Sequence, residues 1–582
     1  MSSGNTGSPP NSVPEFLDSF DSGRVLWKSL RNFPEQDATD RQLGDSAVQE
    51  IGEFLEKRLD PEEVDRTRRL PEHFLEDLQE RGFLRLRSEP GSGGLGLSAY
   101  NAFRVVERAA AWSAPAGQVL GIQAGVGAGA MLPAMPPGEL RDVVQRRIAE
   151  GAVSGFGDTD EAGQNNTFPL MTATLSEDGS AWVLHGEKLF TGHGPVADLL
   201  GVSATVVRDG RRHVGAFFVD TRDCPGFRVV SRLEYLGSRG LPNAALAFDG
   251  VRVPGAHALI DDSGAGLPPM VGLMALVGRV FFTGAPALAI ARNCLAWSLD
   301  FVRRRTVDGK ELGAYDSVQR IVATSAAEVY AMDSAARWAL SGPGAGDQLF
   351  ERFVAKNVLT TTCWRVVDRT MSLLAAEGFE TVSSKERRGA PALPLERAFR
   401  DARGLRIAGN IDFRLDEQAG RLLLDRHYAG RAAGPGQIPS GAGGAAALQD
   451  RGLSAANQEH LRLVDGRLAE LAELCATLTR AQPDPPRLWE GQRTVLLIGR
   501  IATELFTMCA VLSRASSTGT GTGKNSRFSG AESQEYADIH CAAAELRVAA
   551  HLYELASAPD LDYAAVSARL LSDAASDRIT GY

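Results

Sequence analysis

The chain is poor in cysteine, and the few it has are scattered. Cys224, Cys294, Cys363, Cys475, Cys509 and Cys541 are its six cysteines, and no CxxC pair occurs. That excludes a disulfide scaffold and the spacing of a structural zinc site, and predicts free thiols in a reducing cytoplasm. Basic runs are also missing. Lys and Arg total 62 against 72 Asp and Glu, a formal net charge of −10, so the clustered cations of a nucleic-acid binder are absent. The first residues, MSSGNTGSPPNSVPEF, contain neither a basic region nor an apolar one and resemble a disordered tail, not a secretion signal. From Pro269 to Ala291 the chain is mostly apolar and uncharged apart from Arg279, which lies near the middle, and the stretch also holds Pro286. Both are costly in a bilayer, so a buried helix is expected and no transmembrane segment.

What is present is ample core-forming material, with 44% hydrophobic and 23% charged residues over 582 positions, enough for about four units. Residues 1–44 read as a tail or extension and 45–151 as a helical domain. Pro71 is expected in the first turn of a helix running through Phe74, Leu75, Leu78 and Phe83. The cluster Gly91–Gly96 lacks both a following Lys-Ser/Thr and a preceding strand, so it reads as a turn. Residues 152–256 change to a β rhythm. Met171–Leu175, a Glu177–Ser180 turn and Ala181–His185 form a hairpin, and further antiparallel strands are expected at 199–207, 214–220 and 245–248. Helical periodicity returns over 257–433, with a break at Gly342-Pro343-Gly344. A Gly/Pro-rich linker occupies 434–451, and a last helical domain, interrupted by a polar loop from Ser516 to Ser533, occupies 452–582. The fold class is α+β.

Four segments resemble acyl-CoA dehydrogenases. Trp182-Val-Leu-His-Gly-Glu-Lys-Leu-Phe-Thr-Gly-His-Gly194, followed by Ala197-Asp198, resembles that family's Y-x-L-N-G-x-K-x-W-I-T/S-N-G and A-D. Leu246–Pro254 resembles the strand closing its β-domain. Arg305-Thr-Val-Asp-Gly-Lys310 is similar to R-x-x-F-G-K, and Arg400–Ile407 to R-D-x-R/K-x-x-x-I. The resemblance spans roughly residues 45–430. It implies a helical domain, a small β-domain and a helical bundle. The added C-terminal helices resemble the very-long-chain branch, which implies a homodimer. It also implies FAD, an acyl-CoA or acyl-carrier-protein thioester or related small molecule as substrate, no metal, and a Glu base that takes the α-proton while hydride passes to flavin.

Residue by residue, the family's chemistry thins out. One seat of the base falls on Gly409 and the alternative seat on Gly278, just before Arg279. Neither can move a proton. The flavin N5 donor falls on Gly192 and the ring-packing Trp on Phe190. Asp158 stands in Phe156-Gly-Asp-Thr-Asp160 where an apolar residue is usual. In the diphosphate region Arg305 is kept, Asp308 and Asp316 replace Phe and Gln, and Ala375 and Ala376 replace two glycines. Carboxylates near an anionic diphosphate, and Cβ atoms where backbone should approach it, weigh against FAD. The positions the resemblance assigns to the cofactor are Phe156, Thr159, Phe190, Thr191, Arg305 and Gln319. The catalytic candidates are His193, Asp158, Asp412 and Arg279. His193 is an acid/base or a stand-in for a turn Asn; Asp158, with Asp160, is a buried acid or a solvated loop group. Asp412 is a displaced base or a helix-start cap, and Arg279 a partner for a thioester or carboxylate. Three readings stay open: a repurposed bacterial enzyme of specialised metabolism acting on an acyl thioester without ordinary dehydrogenation and without flavin, an FAD-dependent oxidoreductase with a relocated base, and a non-catalytic dimeric scaffold.

Overall fold

The computed structural model describes residues 15–164, 166–261, 267, 269–341, 348–432, 449–520, 528–557 and 562–571. The expected break at 342–344 and nearly all of the 434–451 linker lie outside the described residues. The chain begins with α1 (Phe16–Ser22), α2 (Trp27–Leu30), α3 (Ala38–Arg58), α4 (Pro61–Thr67), α5 (Phe74–Glu80), α6 (Ala99–Trp112), α7 (Ala114–Gly125) and α8 (Glu139–Ala149). Residues 15–44, expected as tail, are therefore largely helical. Phe16, Leu17 and Phe20 are buried, and Phe16 lies 5.6 Å from the Phe350 ring and 5.8 Å from Phe506. Apolar burial outweighs the Ser/Gly/Pro-rich composition around them. The helix expected at Pro71 starts at Phe74, after His73 at a φ of 58°. Gly91–Gly96 is a turn, held by Gly96 N donating to the Ser88 carbonyl at 2.8 Å.

The β-domain contains β1 (Ser154–Gly157), β2 (Thr172–Leu175), β3 (Ala181–Gly192), β4 (Leu199–Arg208), β5 (Arg211–Asp220), β6 (Phe227–Arg232), β7 (Asn243–Pro254) and β8 (Ala258–Ile260). The order is β6-β7-β3-β2-β4-β5-β8, with β1 paired to β4. Most pairs are antiparallel, as expected, but β1 and β2 both run parallel to β4. β3 extends through Gly192, beyond the stretch expected from its alternation. Two register shifts against β7, one between Lys188 and Thr191, break its period of two.

Helix α9 (Pro269–Arg279) continues through a π-turn at Val280–Gly284 into α10 (Ala285–Arg304). The hairpin β9 (Thr306–Val307) and β10 (Lys310–Glu311) leads to α11 (Asp316–Leu340), α12 (Leu349–Phe379), α13 (Val382–Arg387), α14 (Leu395–Leu405) and α15 (Asp412–Ala432). The C-terminal helices are α16 (Ala455–Ala481), α17 (Pro485–Glu490), α18 (Gln492–Gly519), α19 (Gly530–Ser557) and α20 (Tyr563–Leu570). The polar loop expected from Ser516 is shorter, because α18 runs to Gly519 and α19 begins at Gly530. One core joins α3–α7, α10–α12 and α14; another joins the N-terminal helices to α15–α19. The spans Val271–Arg304 and Gln492–Gly519 are long and apolar enough to cross a membrane, but most of each apolar window is buried within the protein.

Candidate functional site

The expected site residues meet where β1 and β3 approach α7, α9 and the loop between α14 and α15. Two glycine contacts let α7 and the α9–π-turn segment touch. A Cβ on Gly278 would lie 2.4 Å from the Gly125 carbonyl oxygen, and one on Gly121 would lie 2.6 Å from Phe282 Cα. Gly278 is thus a packing contact between two backbones, with no room for a longer side chain. The other position expected as a base seat, Gly409, sits at a φ of 68°, followed by Asn410 at 82°. A Cβ there would meet Phe282 Cζ at 2.9 Å and Arg279 Cγ at 3.0 Å. The Arg279 stem therefore packs beside Gly409.

Arg279 is partly buried at the end of α9. Among the described residues its guanidinium makes no hydrogen bond and no ion pair within 4.0 Å. Burial lowers its pKa, and Asp158, the carboxylate that opposes this shift, stands beyond pairing distance. An arginine placed so, with its charge unanswered, is suited to an anionic ligand.

Lys356, on α12, completes this corner and was not among the sequence candidates. It is fully buried, and its Nζ donates to the Arg406 carbonyl at 2.9 Å and the Asn410 carbonyl at 2.8 Å. Those bonds fix the loop carrying Gly409. Burial pulls its pKa down to about 7; Asp412 opposes that shift, and Arg279 adds to it. The available signal was the lack of polar/apolar segregation in α12, where Glu351, Arg352 and Lys356 are all buried.

Asp412 belongs to the same corner but is committed elsewhere. Arg406 Nε donates to its Oδ2 at 2.8 Å, and Phe413 N donates to Oδ1 at 2.8 Å. Burial would raise its pKa, but Arg406 more than compensates and holds it low. It is an ion-paired residue at the start of α15, the bland alternative to a displaced base.

Asp158 and Asp160 surround a buried lysine. Asp158 accepts from Ser203 Oγ at 2.7 Å and from Gln164 Nε2 at 3.0 Å, while Lys188 Nζ donates to the Asp158 carbonyl at 2.9 Å and to Ser203 at 3.1 Å. Asp160 accepts from Leu170 N at 2.6 Å and lies 4.0 Å from Lys188. Burial lowers Lys188 to about 8, opposed by these two aspartates. Their charges thus have a structural partner.

His193 is fully buried at a φ of 64°. Its Nδ1 shares a 2.9 Å hydrogen bond with the Ser154 carbonyl, so that nitrogen carries the proton and Nε2 has no partner among the described residues. Burial pushes its pKa down to about 4. A neutral imidazole tying β1 to the turn after β3 fits the turn-Asn replacement better than an acid/base role. Phe190, at a φ of 56°, is 58% exposed. Thr191 is buried with an unpartnered Oγ1 facing Gly157; Phe156 and Thr159 are half-buried.

The remaining cofactor candidates lie on other elements. Arg305 is exposed beside Phe301, and Gln319, exposed on α11, donates to the Gly313 carbonyl at 3.0 Å. Asp308 and Gly309, at φ of 50° and 75°, form the two-residue turn between β9 and β10, so Asp308 is explained by hairpin geometry. Asp316 pairs with Arg320 on the surface. Ala375 interrupts α12 at φ 50° and ψ −132°, a backbone suited to glycine. Among the described residues no group of three or more His, Cys, Asp or Glu side chains is arranged to hold a metal.

Family comparisons agree with this architecture. The models of the acyl-CoA dehydrogenase N-terminal, middle and C-terminal domains match residues 45–152, 155–251 and 276–412. A Mycobacterium tuberculosis protein named "Probable acyl-CoA dehydrogenase FadE10" is 28% identical over 596 residues, covering 97% of this chain and 89% of that protein. The 3-sulfinopropanoyl-CoA desulfinase of Paraburkholderia xenovorans is 24% identical over 372 residues, covering 63% of this chain and 92% of that protein. Among solved structures, an acyl-CoA dehydrogenase complexed with FAD from Bacillus anthracis superposes with a TM-score of 0.73 at 18% identity, covering 92% of this chain and 91% of that one. The three matched domains take up more than half of the sequence in their expected order, and the chain belongs to the acyl-CoA dehydrogenase family.

Proposed function

We propose that this chain is an acyl-thioester enzyme of bacterial metabolism whose substrate carries a second anionic group, and that it does not start from the family's α-proton abstraction. The observation that carries the reading is the unpaired Arg279 guanidinium packed beside Gly409, where the resemblance places a carboxylate. With glycine at both base seats and the Arg279 guanidinium beside one of them, the corner is suited to holding an anion and not to removing a proton. Arg279 would bind and orient the anionic group, and Lys356 would hold the 406–410 loop against it. Among relatives, the named substrate of the desulfinase is itself an anionic acyl-CoA. Loss of both base seats sets this chain apart from ordinary acyl-chain oxidation, which supports a specialised pathway.

FAD, which the family relationship implies and which would supply hydride acceptance, does not fit these residues in the family's pose. Gly192 offers no hydroxyl for flavin N5. Ala375 and Ala376 put Cβ atoms where a glycine cradle would approach the diphosphate. No step is therefore assigned to a flavin. The expected assembly remains a homodimer.

The test is the visible spectrum of the purified full chain, followed by incubation with butyryl-CoA or succinyl-CoA and an artificial electron acceptor. The reading predicts no stoichiometric flavin bands and no enoyl product. Stoichiometric flavin that butyryl-CoA reduces would overturn it.

A further inference from the structure

A second arginine group surrounds a cavity of about 180 Å³ where the segment before α3 meets α3, α6, α11 and α18. Its walls carry Arg41, Arg104, Arg337 and Arg514, with Glu35 and Asp45. Glu35, Arg41 and Arg514 lie outside the three matched family domains, so the cavity is built at the seam between the family core and this chain's additions.

The charges are only partly spent on one another. Arg104 pairs with Asp45. Arg337 reaches Asp333 at 3.3 Å and the Tyr100 hydroxyl at 2.8 Å. Arg514 is 2% exposed, and its Nη1 reaches Asp333 at 2.9 Å and Ser334 Oγ at 3.0 Å. Its Nη2 is buried with no partner among the described residues. The Tyr330 ring lies 4.5 Å from this guanidinium and helps hold it in place. Arg41 donates only to the Gln36 carbonyl, at 3.3 Å. Glu35 makes no ion pair within 4.0 Å, although Arg337, Arg41 and Arg514 all act on it electrostatically. Four guanidiniums therefore face the carboxylates of Glu35 and Asp45, while Asp333 beneath is shared with Arg292 at 2.7 Å. The cavity has room for a phosphate or a short dicarboxylate.

We propose that this cavity binds a small multivalent oxyanion, and that the bound anion ties the N-terminal segment and α18 to the family core. Guanidinium forks match both phosphate and carboxylate oxygens, so the chemistry is shared and the source is set by the test.

The full chain is titrated calorimetrically with inorganic phosphate and separately with succinate, with sodium chloride of equal ionic strength as the reference. The expected result is saturable binding of at least one anion; tighter phosphate binding assigns a phosphoryl ligand, and tighter succinate binding a carboxylate. Arg41→Gln should weaken binding about tenfold by removing one charge-assisted contact. Glu35→Gln should tighten it, because a competing carboxylate is removed. Arg320→Gln, at an exposed pair with Asp316, should leave it unchanged. Arg514 is kept intact, since its loss would strand Asp333. Binding no different from chloride, or affinities that neither Arg41→Gln nor Glu35→Gln alters, would overturn the proposal.

Discussion

Two charge clusters in the helical core show what separates a structural arginine from one placed for a ligand. Glu328 is buried on α11 and takes Arg365 Nε at 2.8 Å together with Arg369. Burial would raise its pKa, but the two arginines override that and hold it low. Both guanidiniums there reach the same carboxylate. Near Gly409, Arg279 has no such partner and Lys356 is pulled toward neutrality. The Glu328 cluster thus pairs its cations with a carboxylate, whereas Arg279 beside Gly409 has no ion pair among the described residues.

The strongest contrast comes from removing one member of each cluster. Glu328→Ala should cost about 3–5 kcal/mol in urea unfolding, because it strands two arginines. Arg279→Met should leave stability unchanged or slightly raised, since no partner is orphaned. A large loss for Arg279→Met would place Arg279 with the structural cations.

The two base seats should differ next. Gly278→Ala drives a Cβ into the Gly125 carbonyl and should cost about 3 kcal/mol or more. Gly409→Ala, strained by its positive φ but meeting the Phe282 ring and the Arg279 stem instead of backbone, should cost about 1–2 kcal/mol. Equal costs would contradict the packing described for α7 and α9.

Lys356 sets a pH signature. Its folded pKa of about 7 lies below the unfolded value near ~10.4, so the unfolded chain binds more protons in between. Stability should therefore climb as pH rises from about 7 toward 10, by at most about 1.4 kcal/mol per pH unit from this group. Lys356→Met should flatten that climb. His193 gives a smaller effect: held near 4, it is neutral when folded, so its contribution is lost as pH falls from about 6.5 toward 4. His193→Asn should remove that acid-side dependence and change stability at neutral pH by about 1 kcal/mol or less.

Much of the architecture was readable because it depends on local pattern. The Met171–His185 hairpin follows from alternation around Glu177–Ser180, and the family motifs follow the order of the three matched domains. Long-range partners were not readable. Nothing near Phe16 announces Phe350 and Phe506 as its neighbours, and Asp158 looks like a repulsive charge until Lys188 and Ser203 are seen against it. The π-turn at Val280–Gly284 leaves no periodic trace in so uniformly apolar a stretch. Lys356 hid in the first turns of α12, where Glu351 and Arg352 are buried as well.

The most direct measurement compares succinyl-CoA with butyryl-CoA binding by calorimetry, in the unaltered chain and in Arg279→Met. An ion pair at Arg279 predicts that succinyl-CoA binds the unaltered chain about tenfold more tightly, and that the preference disappears in Arg279→Met while butyryl-CoA binding is kept. Equal binding of the two thioesters by the unaltered chain, or a preference that survives Arg279→Met, would contradict it.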